Sequence, residues 1–292
     1  MSSLLLEKSQ KEKWVLADRV SQVCQNPTVE SKRVIQMSDE FKIVSVDADN
    51  VDAEGFFCYK SKPKSVGYQQ KLSWLKQRFA EGMRIKILYE GQRSVGFVEY
   101  IPGEFAWRAV EAPNYLLIHC IWVVGRGKKK GYGSRLLDEC VEDAREMQAH
   151  GVAMVTSSRH WLAGKKLFLR NGFEVVDQAP PFELLVKRFD DDAPLPAFPQ
   201  DWEERASRYG AGLTVIHADQ CPYINDAIKQ YMELAEERGV EARMVKLTSG
   251  REIQDTAPSP YGVFNVVYDG RLVTYHYMGK REKQALIKLW GG

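Results

Sequence analysis

The sequence predicts an α/β protein with a mixed central sheet, followed by a second, smaller α/β domain. Apolar strand patterns, among them the almost continuous run Tyr115–Val124, alternate with amphipathic helical patterns in the first part of the chain. A stretch with three prolines and an acidic start interrupts this pattern at 190–208. Beyond it the pattern restarts and includes a β-hairpin, marked by Asp269-Gly270 between two alternating runs.

These patterns divide the chain into four segments. Residues 1–40 form an N-terminal extension with a weak helical pattern, and 41–189 form the first domain. Residues 190–208 are a proline-rich linker, and 209–292 form the second domain.

The first domain contains strands and helices in a definite order. A strand begins at Phe41, and an amphipathic helix lies around Trp74. Gly91 marks the turn of a hairpin, which precedes the buried strand. A long amphipathic helix begins at Ser134, and a strand, a short helix ended by Gly172 and two further strands complete the domain.

Composition excludes several classes of protein. Lys and Arg number 41 against 39 Asp and Glu, and a net charge of +2 does not favour a nucleic-acid or membrane partner. No apolar run approaches the ~20 residues that a transmembrane helix needs. The five cysteines are scattered without a CxxC pair, so we expect neither a disulfide framework nor a metal site. Reduced thiols of this kind predict a cytoplasmic protein.

The loop after the buried strand carries the strongest functional signal. It reads Lys128-Lys129-Lys130-Gly131-Tyr132-Gly133, and a helix follows from Ser134. Glycines allow the backbone to approach a ligand, and the helix dipole favours an anion at the same point. The pattern predicts a pyrophosphate site, although it lacks both GxGxxG and the P-loop. The alternative is a plain glycine-rich turn beside a solvated lysine run.

This strand, loop and helix resemble the acetyl-CoA signature of the GNAT N-acetyltransferases. The resemblance covers residues 41–189 and includes Arg170-Asn171-Gly172-Phe173-Glu174 at the end of the short helix. It implies the GNAT fold, acetyl-CoA as cosubstrate, a small-molecule amine as acceptor and a possible homodimer.

The resemblance also implies which residues bind the cosubstrate. Backbone N–H groups of the loop would hold the pyrophosphate, with Lys128 at the usual leading basic position. The strand backbone would pair with the pantetheine arm, and the Val123 N–H would polarise the thioester carbonyl. The full set is Val123, Val124, Gly125, Lys128, Lys129, Lys130, Gly131, Tyr132, Gly133 and Ser134. The Tyr and Asn that often assist catalysis in this family are replaced by Phe168 and Trp161.

Candidates for acid and base lie on two neighbouring strands. His119 precedes Val123 by four residues and shares its side by strand alternation, so it is a candidate general base. A buried histidine bonded to a main-chain carbonyl is the alternative. Glu99 is a second candidate base and Tyr100 a candidate acid. Cys120 would face the other side and pack in the core.

Aromatic residues in two other segments could roof the acceptor site. Tyr68, Trp74 and Trp107-Arg108 could stack on a planar or cationic substrate. An aromatic core with a surface arginine is an equally good interpretation.

The second domain places a single cysteine in a suggestive position. Cys221-Pro222-Tyr223-Ile224 follows a strand and precedes a helix, which resembles the active cysteine of thioredoxin-like proteins. Proline at the first helical position and the helix dipole would favour a Cys221 thiolate. Ile224 replaces the second cysteine, so a dithiol cycle cannot run. Pro260, or else Pro258, resembles the cis-proline of that fold.

A GNAT unit followed by such a domain resembles the acetyltransferases with a YoaP-type C-terminal domain. The main hypothesis is an acetyl-CoA-dependent N-acetyltransferase. The alternative is a thiol-based redox or soft-metal-binding protein that uses Cys221, with the GNAT unit as an acyl-CoA sensor or a non-catalytic scaffold. In a third interpretation, Cys221 is inert and its domain serves binding or dimerisation.

Overall fold

The computed structural model describes residues 41–158 and 162–291, which form two β-sheets flanked by helices. The predicted N-terminal extension, residues 1–40, lies outside the described residues. Residues 42–292 make up one compact unit, so both sheets belong to the same body.

The first sheet has seven strands in the order β1-β2-β3-β4-β5-β7-β6. They are β1 (Phe41–Val46), β2 (Arg84–Glu90), β3 (Arg93–Pro102), β4 (Tyr115–Val123), β5 (Gly151–Ser157), β6 (Glu174–Ala179) and β7 (Phe182–Arg188). Its helices are α1 (Val51–Glu54), α2 (Val66–Arg78), α3 (Tyr132–Glu146) and α4 (Lys166–Arg170). Strands β4 and β5 run parallel while β2–β3 and β3–β4 are antiparallel, so the predicted mixed sheet is confirmed.

Helix α3 packs on this sheet as its sequence pattern predicts. Leu136, Leu137, Cys140 and Ala144 are buried against β3 and β4. Burial of each large side chain contributes roughly 1.5–3 kcal/mol. Because a turn at Gly125–Gly127 leads from β4 toward α3, this packing fixes the start of the helix near the end of the strand.

Strands β4 and β5 separate partway along their length. Their parallel pairing ends at Ile118 and Met154. Beyond that point β4 continues to Val123 along β3, and β5 continues to Ser157 along β7. The second half of β4 therefore has one edge on β3 and the other edge facing a gap.

The segment predicted as a linker packs against the first sheet. Glu111 and Ala197 exchange backbone hydrogen bonds of 2.9 and 3.0 Å. Phe198 is buried, and its N–H donates to Asp177 Oδ2 at 2.7 Å. Helix α5 (Trp202–Ser207) follows. The sequence predicted a linker without deciding how closely it packs, and burial of Phe198 attaches the segment to the first sheet.

The second sheet has four strands in the order β11-β10-β8-β9. Its elements are β8 (Leu213–His217), α6 (Ile224–Glu237), β9 (Ala242–Lys246), α7 (Gly250–Thr256), β10 (Phe264–Tyr268), β11 (Arg271–Thr274) and α8 (Lys280–Leu289). Strands β8 and β9 are parallel, and β10 is antiparallel to both β8 and β11. The predicted hairpin at Asp269-Gly270 is confirmed, whereas α7 had no counterpart in the sequence prediction.

Two details of this part differ from prediction. Helix α6 begins at Ile224, so Pro222 precedes the helix and does not open it. Among the described residues the cis peptide bond is Pro180–Pro181. The bonds before Pro258 and Pro260 are therefore trans, and the expected cis-proline was wrong.

The part of the chain that carries the second sheet packs directly on the first. At the start of α2, a Cβ on Gly67 would lie only 2.2 Å from the Pro222 carbonyl oxygen. Asn225 Nδ2 donates a hydrogen bond of 2.7 Å to Gln70 Oε1 nearby. The start of α2 therefore contacts the segment at Pro222 through backbone atoms and Asn225 through side-chain atoms.

Within the described residues, no helix combines the length and the apolar character needed to cross a bilayer. The cytoplasmic location, the homodimer and the absence of a nucleic-acid partner stay predictions of the sequence.

Candidate active site

A cavity of about 710 Å³ lies between the two sheets. Strands β3 and β4, helix α2 and the segment before it line one side. The segment after β8, the residue Tyr261 before β10 and the segment after β11 line the other side. Their lining residues are Gln220, Cys221, Pro222, Tyr223, Tyr261, His276, Tyr277, Met278, Gly279 and Glu282. The sequence singled out Glu99, His119 and Cys221, and the fold brings all three to this cavity.

A buried ion pair lies in the cavity wall. Lys71 Nζ is 2.6 Å from Glu99 Oε2, and both side chains are at most 4% exposed. Gln220 Nε2 donates to the other carboxylate oxygen of Glu99 at 2.8 Å. The carboxylate is therefore held from both parts of the chain. Lys71 and Gln220 have no local sequence signal, because only the tertiary contact makes them partners.

These contacts keep Glu99 ionised. Burial alone would raise the pKa of its carboxyl, but the Lys71 charge and the nearby His119 ring outweigh it. The pKa of Glu99 falls from an ordinary value of 4.5 to about 2. At neutral pH the cavity therefore contains a fixed negative charge next to a fixed positive one.

His119 is fully buried and neutral. The Trp107 backbone N–H donates to its Nε2 at 2.9 Å, which leaves the proton on Nδ1. Nδ1 lies 3.5 Å from Glu99 Oε1. Burial, partly offset by Glu99, lowers the pKa of His119 to about 4. Its acceptor nitrogen is occupied, so the geometry favours a structural histidine over a general base, with a main-chain N–H in place of the expected carbonyl.

A β-bulge changes which residues of β4 face the cavity. Glu99 pairs with Cys120 and Tyr100 pairs with Ile118, so His119 is the extra residue on β4. Strict alternation therefore fails, and His119 and Cys120 both line the cavity. The prediction that Cys120 packs in the core was wrong. His119 also shares its side with Trp122 rather than with Val123.

Tyr100 lies on the opposite face of the sheet. Its hydroxyl bonds to the Asp143 carboxylate of helix α3, which is also paired with Arg84 at 2.8 Å. Burial and Asp143 raise the pKa of Tyr100 far above its ordinary range. Because Tyr100 is absent from the cavity wall, the prediction that it acts as an acid was wrong.

The aromatic residues predicted to roof the acceptor site belong to the core. Tyr68 stacks on Phe56 with ring centroids 4.3 Å apart. Trp74 and Trp107 meet edge to face at 5.0 Å. All three are at most 8% exposed, and only Arg108 of the predicted group reaches the cavity. Arg108 is buried there, whereas the alternative interpretation predicted a surface arginine.

Cys221 lines the cavity as a protonated thiol. Burial raises its pKa, although the Tyr223 backbone N–H and the Lys71 charge act in the other direction. Cys58 and Cys120 also face the cavity, and their pKa values are raised by burial as well. Because the thiolate is the reactive form, this environment disfavours the redox alternative. Among the described residues, no three metal-ligating side chains are placed to hold a metal ion.

The glycine-rich loop has the geometry of an anion site. Gly131 caps α3 in a left-handed conformation (φ 77°), and no side chain caps the helix. A Cβ on Gly131 would meet nothing within 4 Å, so space is open in front of the first turn. A Cβ on Gly133 would lie 3.1 Å from the Leu167 side chain, so the glycine lets α3 pack closely against α4. Backbone N–H groups at this helix start are suited to phosphate oxygens.

The three lysines of the loop differ in their surroundings. Lys130 is ion-paired with Glu90 of β2. Lys128 Nζ lies 5.8 Å from the centre of the Trp122 ring. Lys129 is exposed and has a positive φ of 68°. The three lysines therefore have different surroundings, and the structure does not place them as one group that would neutralise a phosphate.

The open edge of β4 leads from this loop to the cavity. The Val124 N–H donates to Val95 O of β3 at 2.9 Å. Since strand N–H groups alternate, the Val123 N–H is directed toward the gap between β4 and β5. Trp122 and Val124 line the cavity at the same place.

Comparison with known proteins identifies this arrangement. The model of the acetyltransferase (GNAT) family matches residues 45–173. The protein YoaP of Bacillus subtilis strain 168, described as an uncharacterized N-acetyltransferase, is 32% identical over 248 residues. That match covers 84% of this chain and 97% of YoaP. The chain belongs to the GNAT family of acetyltransferases.

Solved acetyltransferase structures are also similar to part of the chain. PaiA N-acetyltransferase from Thermoplasma acidophilum, solved in complex with coenzyme A, is 13% identical and covers 51% of this chain and 99% of its own, with a TM-score of 0.37. IAA acetyltransferase from Bacillus cereus ATCC 14579 is 12% identical, with the same coverage and a TM-score of 0.36.

As a GNAT enzyme, the chain is an acyltransferase with acetyl-CoA as its cosubstrate. Phe168, at the position of the frequent GNAT tyrosine, is fully buried against Phe173 with ring centroids 5.3 Å apart. It does not line the cavity. Trp161, at the position of the frequent asparagine, lies outside the described residues.

Proposed function

We propose that the protein transfers the acetyl group of acetyl-CoA to the amine of a small molecule bound in the cavity between the two sheets. The observation that carries this proposal is the connection between the loop and the cavity. Val124, directly after β4, lines the cavity, and the turn Gly125–Gly127 leads from it toward the uncapped start of α3. A phosphate-bearing arm that lies along β4 would end at the wall that contains Glu99.

Each part of this path has a role in the proposed transfer. Backbone N–H groups of Gly133 and Ser134 would hold the pyrophosphate, and the backbone of Val123 to Gly125 would pair with the pantetheine arm. The Val123 N–H would stabilise the oxyanion as the amine attacks the thioester. One such donor is worth about 3 kcal/mol of transition-state stabilisation.

Glu99 is the proposed partner of the amine. Its carboxylate faces the cavity and is ionised, so it accepts a hydrogen bond from the incoming nitrogen. Once the C–N bond forms, that nitrogen becomes strongly acidic, and a carboxylate of low pKa can take its proton. His119 lies beside Glu99, with Nδ1 3.5 Å from Oε1, and does not itself exchange protons with the substrate. Because Phe168 occupies the position of the frequent GNAT tyrosine, the CoA sulfur leaves as a thiolate in this proposal.

We also propose that residues 209–292 form a thioredoxin-like module that serves as the wall of the acceptor site. The order β8-α6-β9-α7-β10-β11-α8 and the sheet order β11-β10-β8-β9 support this fold. In this proposal Cys221 and the tyrosines around it shape the pocket, and the module has no separate redox cycle. The raised pKa of Cys221 supports that assignment.

The test is a pair of matched substitutions at two glycines. Gly131→Asp places a carboxylate at the proposed phosphate site, whereas Gly91→Asp places one at the tip of the β2–β3 hairpin. Both positions have positive φ (77° and 58°) and open space, so the backbone strain is matched. We expect Gly131→Asp to abolish acetyl-CoA binding in calorimetry and thiol release with an amine panel. Retained binding in Gly131→Asp, or equal loss in both variants, would contradict the proposal.

A further inference from the structure

Arg108 is a buried cation in the cavity wall without a carboxylate partner. The residue is 2% exposed and lines the cavity. Its two terminal nitrogens donate to the carbonyl oxygens of Trp107 and His119, at 2.8 and 2.7 Å. Its Nε finds no hydrogen-bond partner, and no ion pair joins Arg108 to a described acidic residue. Its guanidinium carbon lies 4.9 Å from the centre of the Tyr261 ring, which is an aromatic contact and not a counter-ion.

The other charges around the cavity do not balance Arg108. Lys71 and Glu99 neutralise each other at 2.6 Å, and His119 is neutral at pH 7. Cys120, Cys221 and Tyr261 are uncharged, because burial raises their pKa values. The remaining carboxylate, Glu282, is about a fifth exposed, lies 3.5 Å from His276 and accepts the Gly279 N–H. The buried part of the wall therefore carries one excess positive charge.

An isolated buried charge is costly, and a guanidinium is well suited to a carboxylate. We propose that Arg108 binds the carboxylate of the acceptor, so that the substrate is an amino acid or a related aminocarboxylate with an apolar body. This inference rests on the proposed function, since it names the substrate class of the same site. The apolar body would lie among aromatic side chains such as Phe57 and Phe97, which stack at 4.9 Å in the wall.

The charge balance also favours the reactive form of such a substrate. An aminocarboxylate with a neutral amine has a net charge of −1, which compensates the excess charge at Arg108. The same excess charge disfavours the ammonium form and lowers the pKa of the bound amine. Arg108 would therefore both select the substrate and increase the fraction of its nucleophilic form.

The first experiment compares acceptors that differ only in the carboxylate. The probes are L-phenylalanine, L-phenylalaninamide and 2-phenylethylamine, with L-leucine and 3-methylbutylamine as an aliphatic pair. We expect kcat/KM to be on the order of 10–100-fold higher for the carboxylates, the range of a hydrogen-bonded charge pair. Equal or higher kcat/KM for the amines without a carboxylate would overturn the inference and leave the acetyltransferase proposal standing.

The second experiment changes the arginine. Arg108→Met should remove the carboxylate preference, and Arg108→Lys should retain part of it because the charge remains but the planar donor pair is lost. The matched control is Arg78→Met, which removes another buried arginine, one that pairs with Glu81 at 2.8 Å and does not line the cavity. Its preference should equal that of the wild type. A preference that persists in Arg108→Met would refute the assignment.

A binding measurement separates this inference from the proposed function. The ligands are N-acetyl-L-phenylalanine and N-acetyl-2-phenylethylamine, titrated into the CoA-saturated protein by calorimetry. Tighter binding of the carboxylate, lost in Arg108→Met, supports the subsite even if no amine in the panel is acetylated. Equal affinities would overturn it. If the melting curve shows that Arg108→Met does not fold, the wild-type comparison of the two ligands and the Arg108→Lys variant still test the carboxylate subsite.

Discussion

The buried pair of Lys71 and Glu99 allows a quantitative test of the site. Lys71→Met removes the cation and leaves a carboxylate that is at most 4% exposed, with Gln220 and His119 as its remaining partners. Loss of one partner of a buried ion pair costs about 3–5 kcal/mol. We therefore expect the free energy of unfolding in urea at pH 7 to fall by about that amount.

The pKa of Glu99 gives a second way to obtain the stability that the ionised carboxylate contributes. A displacement from 4.5 to about 2 corresponds to about 3 kcal/mol of stability. Since the carboxylate is the stabilised form, this contribution is fully present above pH 4.5 and is lost as the pH falls through 2. The difference in unfolding free energy between wild type and Glu99→Gln should shrink over that interval.

A second ion pair on the same helix provides the control. Lys76 lies 2.7 Å from Asp52, but both side chains are about half exposed or more. Lys76→Met should change stability by less than about 1 kcal/mol. Two results would contradict this prediction. In the first, Lys71→Met lowers the free energy of unfolding by no more than Lys76→Met. In the second, the double variant Lys71→Met/Glu99→Gln recovers none of the lost stability.

Two further predictions concern the contact between the sheets and the buried imidazole. Gly67→Ala brings a methyl group against the Pro222 carbonyl, so it should lower the melting temperature and acceptor turnover while acetyl-CoA affinity is retained; Gly164→Ala, where space is open, should change neither. If acceptor turnover in Gly67→Ala equals that of the wild type, the cavity does not take part in catalysis. His119 should remain neutral down to about pH 5 because its pKa is about 4. Its ring signals in NMR spectra should therefore not titrate between pH 5 and 8, and a midpoint near 6.5 would contradict the bond from the Trp107 N–H.

Local pattern was sufficient for most of the fold. The apolar run Tyr115–Val124, the helix after Gly131 and the hairpin at Asp269-Gly270 each depend on neighbours in sequence, and the structure contains all three. The same holds for the glycine-rich loop, because such a turn between a buried strand and a helix depends on residues close together in the chain. The side-chain periodicity of β4 was predicted less well, because the bulge at His119 arises from pairing with β3 and has no local signature.

The cavity could not have been predicted from the sequence in the same way. Cys221 was recognised by its position before a helix, but the thiolate expected from that position assumed a helix that begins at Pro222. Desolvation in the cavity wall instead raises the pKa of the thiol, which is the opposite of the expected direction. Desolvation depends on everything that surrounds a group, so no local motif determines it.

The order of helices and strands, the glycine-rich loop and the presence of a second α/β part follow from the sequence, because each depends on periodicity or on residues close together in the chain. That the second part closes the cavity follows only from the fold. The same is true of the contacts of Lys71 and Gln220 with Glu99, of the position of Tyr100 against α3, and of Arg108, which pairs with no described carboxylate. Charge pairing and burial are properties of distances in space, and in this chain the decisive distances join residues far apart in sequence.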